Sequence, residues 1–114
     1  MKNMHDQFYP DAILSLPEAD IPFPGVRAWI SQAENHQVCF FDIEPIGEVK
    51  PHSHGEQWGV VLEGRMKLTI GGIEKEYGPG DSYHIPAGVV HSATFLTRVR
   101  VIDYFADRDR YKAK

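Results

Sequence analysis

The sequence predicts an all-β domain, a sandwich or barrel of the jelly-roll kind, on three observations. From Val26 onward the chain falls into short apolar or alternating runs, each closed by turn residues. Glycine and proline punctuate those runs, and Gly71-Gly72 between Ile70 and Ile73 is a strong two-residue hairpin signal. No stretch carries a convincing helical period, and the only candidate helical turn follows Phe105.

In order, the runs that read as strands are Val26–Ser31, Gln37–Ile43, Val49–His54, Trp58–Leu62, Arg65–Ile70, Ile73–Tyr77, Ser82–Ile85, Ser92–Leu96 and Val99–Phe105. Ahead of them, residues 1–25 hold Pro10, Pro17, Pro22 and Pro24, too many for a helix of useful length. That segment reads as an N-terminal arm limited to loops and edge strands, and 26–114 as a single barrel domain. Alternation sorts the faces. Met66, Leu68 and Ile70 read as inward, with Arg65, Lys67 and Thr69 outward. Cys39, Phe41 and Ile43 also read as inward, yet Val38 and Phe40 are apolar too. A strand apolar on both faces needs cover on both, supplied either by the arm or by a second subunit; the expected assembly is a homodimer.

A chain of 114 residues is the size of one domain, and its 42% hydrophobic and 25% charged residues are ordinary for a globular protein. Twelve basic against sixteen acidic residues give a net charge of −4, which argues against a general nucleic-acid or anionic-membrane binder. No apolar run approaches the ~20 residues of a membrane span, and the N-terminus shows no secretory apolar region. A cytoplasmic location is the default expectation. Cys39, the only cysteine, excludes an intrachain disulfide and sits in Val38-Cys39-Phe40-Phe41 as a packed thiol.

Chemistry concentrates in two segments. In Pro51–Gly64, His52 and His54 lie two apart, with oxygen donors downstream at Glu56 and Gln57. On an extended strand such a pair shares a face roughly 6.5–7 Å apart, and two imidazoles can converge on one metal at about 2.0–2.2 Å each. Taken alone, two histidines in a turn-rich segment read more readily as surface residues. The second segment, Gly80–His91, ends with His91 entering a strand on the parity of Ala93 and Phe95, the apolar side. A neutral imidazole there needs a partner, and a metal is one solution. The remaining histidines carry less: His5 and His36 have no assigned role, and His84 reads as a surface or rim residue. Glu56 is chemically the better fourth donor, whereas Gln57 is favoured by register.

The last strand holds one further group. Arg98 and Arg100 put the solvated face on even numbers, so Val99, Val101, Asp103 and Phe105 share the inner one. A carboxylate among core positions is costly unless paired or hydrogen-bonded. Either the strand frays near Ile102 and Asp103 faces water, or Asp103 is internal and serves as a general acid/base beside the metal.

Gly47, His52, His54, Gln57 and Gly64, with Gly80, Pro86, Gly88 and His91, resemble the two signature motifs of the cupin superfamily. The likeness is to its small single-domain, RmlC-like members. Gln57 stands where that family commonly has Glu, and Phe95 where an Asn is often found. The resemblance implies a double-stranded β-helix, or jelly-roll barrel. It also implies one divalent transition metal held by His52, His54, His91 and Gln57, with Zn, Fe, Mn, Ni, Cu and Co all acceptable to such donors. Asp103-Tyr104-Phe105 followed by Arg108-Asp109-Arg110-Tyr111 resembles the tail of the uronate-linearising cupins of pectin breakdown. That likeness implies a small-molecule substrate of hydroxy-keto, enol or sugar-acid type in a lyase or isomerase reaction. Asp103 would be the acid/base, Arg108 the carboxylate clamp and Phe105 a pocket wall, joined by Trp58, Phe41 and Met66. The alternatives are a quercetinase-like metal dioxygenase and a non-enzymatic sugar- or effector-binding cupin.

Overall fold

The structure, a computed structural model, describes residues 7–114, so His5 lies outside the described residues. Nine strands follow one helical turn: α1 (Asp11–Leu14), β1 (Val26–Gln32), β2 (Gln37–Ile43), β3 (Glu48–His52), β4 (Gln57–Glu63), β5 (Met66–Ile70), β6 (Ile73–Tyr77), β7 (Ser82–Ile85), β8 (His91–Phe95) and β9 (Val99–Phe105). They form a five-stranded sheet in the order β1-β2-β9-β4-β7 and a four-stranded sheet in the order β3-β8-β5-β6. Every pairing is antiparallel. This is the jelly-roll expected from the turn-punctuated short runs.

Alternation builds the core between the sheets. Gln37, Cys39, Phe41 and Ile43 of β2 are buried while Val38, Phe40 and Asp42 are only half-buried. Met66 and Leu68 from the other sheet join the same cluster as Phe41, Val101 and Phe105. Each such side chain contributes roughly 1.5–3 kcal/mol on leaving water. Cys39 is fully buried, and burial pushes its thiol up to about 12, so it packs as a small apolar group.

The second apolar face of β1 and β2 is covered in part by the chain's own N-terminal segment. Tyr9 is buried, meets Trp29 and Phe40 edge-on at 6.1 and 5.9 Å, and donates its hydroxyl to the Phe41 carbonyl at 2.7 Å. Further on, Glu18 bridges to Trp29 and Ala19 to Ala113, stitching this segment to β1 and to the C-terminal end. The helix α1 is a single turn, opened by Pro10 with φ −69°. One turn is all that the proline spacing leaves room for.

Three local details position the site. Gly71 and Gly72 have φ of 56° and 83°, the all-positive signature of a type I′ turn, and hold Ile70 opposite Ile73. In β3 the register shifts between Val49 and His52, and the strand ends at His52. His54 therefore sits in the β3–β4 loop rather than on the strand expected to run through it. Finally, β9 stays paired on both sides to its end: Phe105 faces Gln37 of β2 and Gln57 of β4. The strand does not fray at Ile102, and Asp103 is internal, only 5% exposed.

Candidate metal centre and its cavity

Two strand ends and one loop meet at one end of the barrel. His52 closes β3 directly opposite His91, which opens β8, and the loop after β3 returns His54 over both. Their ring centroids are 4.3 Å apart for His52–His91, 4.8 Å for His54–His91 and 5.3 Å for His52–His54. The ligating nitrogens of all three lie within 4.8 Å of one another.

Each ring is oriented by its own backbone. The Nδ1 of His52 bonds the Lys50 carbonyl at 2.9 Å, that of His54 the Gly55 carbonyl at 2.8 Å, and that of His91 the Val89 carbonyl at 3.0 Å. A carbonyl only accepts, so each Nδ1 carries the hydrogen and each Nε2 presents a lone pair. Nε2 of His54 and of His91 is buried with no hydrogen-bond partner. Burial, reinforced by neighbouring positive charge, pushes both rings below the usual histidine range and keeps them neutral, while the backbone bonds oppose it. Orphaned, neutral, convergent lone pairs are what a divalent cation at about 2.0–2.2 Å requires, so the residues fit one.

Beside the histidines lies a hydrogen-bonded trio. Gln57 is buried on β4, with Asp103 two residues from its β9 partner. The Tyr83 hydroxyl donates to Asp103 Oδ1 at 2.6 Å. Burial pushes the Asp103 carboxyl up to about 6, against hydrogen bonds from Tyr83 and Gln57 that pull it down. Burial, together with the Asp103 charge, pushes the Tyr83 phenol well above its ordinary range. Gly59 makes this trio possible: a Cβ there would collide with Tyr83 and with the Asp103 carboxylate. Gln57 shares the cavity with the three histidines and sits beside the Asp103 carboxylate.

These groups line a cavity of about 790 Å³ between the sheets. Phe41, Met66 and Phe105 line it along with Asp103, Gln57 and the three histidines. Two expected wall or clamp residues do not. Trp58 is 45% exposed and outside it, because alternation along β4 that turns Gln57 inward must turn Trp58 outward. Arg108 is exposed beyond the end of β9; its carbonyl accepts from Gln32, and it is not among the lining residues. Arg110 lines the cavity instead. Its guanidinium lies 4.5 Å from the Tyr111 ring centre and 5.7 Å from that of Phe105, and its Nε is buried without a partner. Glu56, the other oxygen donor, turns outward to His84 at 2.6 Å, both half-exposed. Tyr83 and Arg110 carry no motif. Gly59 facing Asp103 was the available sign of the first, since a missing side chain mid-strand marks a close approach.

The Cupin domain family matches residues 39–105. Curated proteins give no match. Among solved structures, KdgF from Halomonas sp. is 21% identical with a TM-score of 0.69, covering 80% of this chain and 87% of that one. An RmlC-like cupin from Shewanella frigidimarina is 24% identical with a TM-score of 0.71, covering 80% and 84%. An oxalate decarboxylase from Bacillus subtilis is 20% identical with a TM-score of 0.72, covering 85% of this chain but 29% of that longer one. At these identities the likeness speaks for the barrel alone. Motif spacing, the two antiparallel sheets, the three-histidine cluster and the family match agree: the chain belongs to the cupin family.

Proposed function

We propose that the chain is a metal-dependent enzyme of the lyase or isomerase type. Its substrate is a small hydroxy-keto, enol or sugar acid. The observation that carries this reading is a buried, protonatable carboxyl in the same cavity as three convergent imidazoles. His52, His54 and His91, with the Gln57 oxygen, would hold one divalent transition metal. When bound, that ion supplies Lewis-acid polarisation of substrate oxygens.

The chain's own residues do the rest. Asp103 in its ionised form takes the proton from the carbon next to a substrate carbonyl; that C–H bond breaks and its electron pair moves into the enolate. The proton then returns from Asp103 to another position, so the carboxyl ends as it began. An acid near 6 suits both directions of transfer near neutral pH. Tyr83 and Gln57 hold the carboxyl in place from two sides. Arg110, with an unpartnered Nε, is the cation available to a substrate carboxylate.

Deuterium exchange at the carbon next to the ketone of a 2-oxo acid, followed by proton NMR in D2O, tests the reading. The metal-loaded protein is expected to exchange it, and Asp103→Asn to lose exchange while keeping the metal by elemental analysis. Exchange undiminished in the variant would remove Asp103 from the role. Oxygen uptake with an enol substrate would move the assignment to a quercetinase-like dioxygenase, and binding without any turnover to an effector-binding module.

A further inference from the structure

The polar groups of the cavity are segregated, and the stretch of its wall built by β8 and β5 offers nothing to a hydroxyl group. Ser53 and Ser92 adjoin the histidines in sequence, and Gln57, Asp103 and Tyr83 already bond one another. Arg110 and Tyr111 add a polar corner beside Phe105, and the other charged lining residues, Asp20, Glu48 and Lys50, are exposed at the rim. Away from His91 the inner face of β8 continues through Ala93 to Phe95, opposite Leu68 and Met66 of β5. Two residue steps of strand make that apolar wall about 7 Å long, starting about 7 Å from His91. Val101 and Ile43 face it from the other sheet, and the rim beyond carries Ile46 and Phe23, which are 38% and 61% exposed.

Resting on the reading above, we infer that the substrate is amphiphilic: an oxo-acid or enol head at the histidines, joined to an unbranched alkyl or aryl tail of roughly five to eight carbons lying along the Ala93–Phe95 wall. A polyhydroxylated sugar acid would leave its hydroxyls unpaired against Leu68, Met66 and Phe95, and a buried hydroxyl without a partner is strongly disfavoured. An apolar tail instead gains with every methylene that leaves water. The tail, rather than the head, then sets specificity among acids that share the same chelating group.

The test is calorimetric titration of the zinc-loaded full chain with pyruvate, 2-oxobutanoate, 2-oxohexanoate and 2-oxooctanoate, and with galacturonate as the polyhydroxylated acid. Affinity is expected to rise about four-fold per added methylene along the series, with galacturonate no tighter than pyruvate. Met66→Gln is expected to flatten the rise. Phe23→Ser, at an exposed position that folding tolerates, is expected to weaken 2-oxooctanoate several-fold and leave pyruvate unchanged. A flat series, a galacturonate tighter than 2-oxooctanoate, or no binding by any of the five acids overturns the inference. A rising series without deuterium exchange sinks the lyase or isomerase reading and leaves the tail site standing; exchange with a flat series does the reverse.

Discussion

Asp103→Asn should make the metal-free protein more stable above pH 6 and leave it nearly unchanged below pH 4. The carboxyl is fully enclosed, and its folded value of about 6 stands above the ordinary 3.8 because ionisation in the barrel forfeits hydration. For an acid raised on folding, the contribution to stability is complete while the group is protonated in both states. It is lost as pH climbs from the unfolded value through the folded one, here between about 4 and 6, and the loss then stays constant. Two pH units and a fraction at about 1.4 kcal/mol each make that loss about 3 kcal/mol. Asparagine keeps an oxygen for the Tyr83 hydroxyl and cannot ionise, so it escapes the loss. In a domain of this size about 3 kcal/mol corresponds to roughly 10 °C in Tm. Urea and thermal unfolding of both proteins from pH 3.5 to 8, with chelator present, measure it; every other titrating group cancels in the difference. Parallel curves across that range, or a wild type that gains on the variant as pH rises, would refute the desolvation account of this carboxyl.

The remaining predictions concern the other parts of the site. Zinc at 100 times its dissociation constant is expected to stabilise the wild type by about 2.7 kcal/mol and His91→Ala hardly at all; an equal thermal shift in both proteins would place the ion elsewhere. Gly59→Ala drives a methyl group into Tyr83 and Asp103 and should cost about 1–3 kcal/mol by denaturant unfolding, and an unchanged midpoint would mean that the trio has slack. Arg110→Met is expected to raise KM for a carboxylate substrate about ten-fold or more, with Arg108→Met neutral, and steady-state kinetics showing the reverse order would restore Arg108 as the clamp. Cys39 should resist thiol reagents at pH 8 until denaturant is added, since a thiol pushed up to about 12 is almost wholly protonated there; rapid labelling of the native protein would show that the core opens.

What could be read without coordinates was whatever depends on local spacing. Turn chemistry at Gly71-Gly72 and parity along β2, β5 and β9 are short-range, so the strands and the inward face of Asp103 followed from them. The outward face of Trp58 follows from the same parity: Gln57 and Trp58 are consecutive on one strand and cannot both face inward. Arg110 over Arg108 was different. Beyond Phe105 no period operates, and only the bend of the chain that brings Tyr111 against Phe41 and Phe105 decides which arginine enters the cavity. The fate of Glu56 likewise rested on a residue 28 positions away, His84.

The three backbone carbonyls that steer the imidazoles come from Lys50, Gly55 and Val89, each within two residues of the ring it holds. The hydrogen bonds that aim the rings are therefore written into the main chain and do not depend on the identity of the residues supplying the carbonyls. Substitutions along the cavity walls can alter what the cavity accepts without removing the bonds that aim the three rings. A fold arranged this way lets the shape of the cavity vary while the three-histidine cluster keeps its geometry.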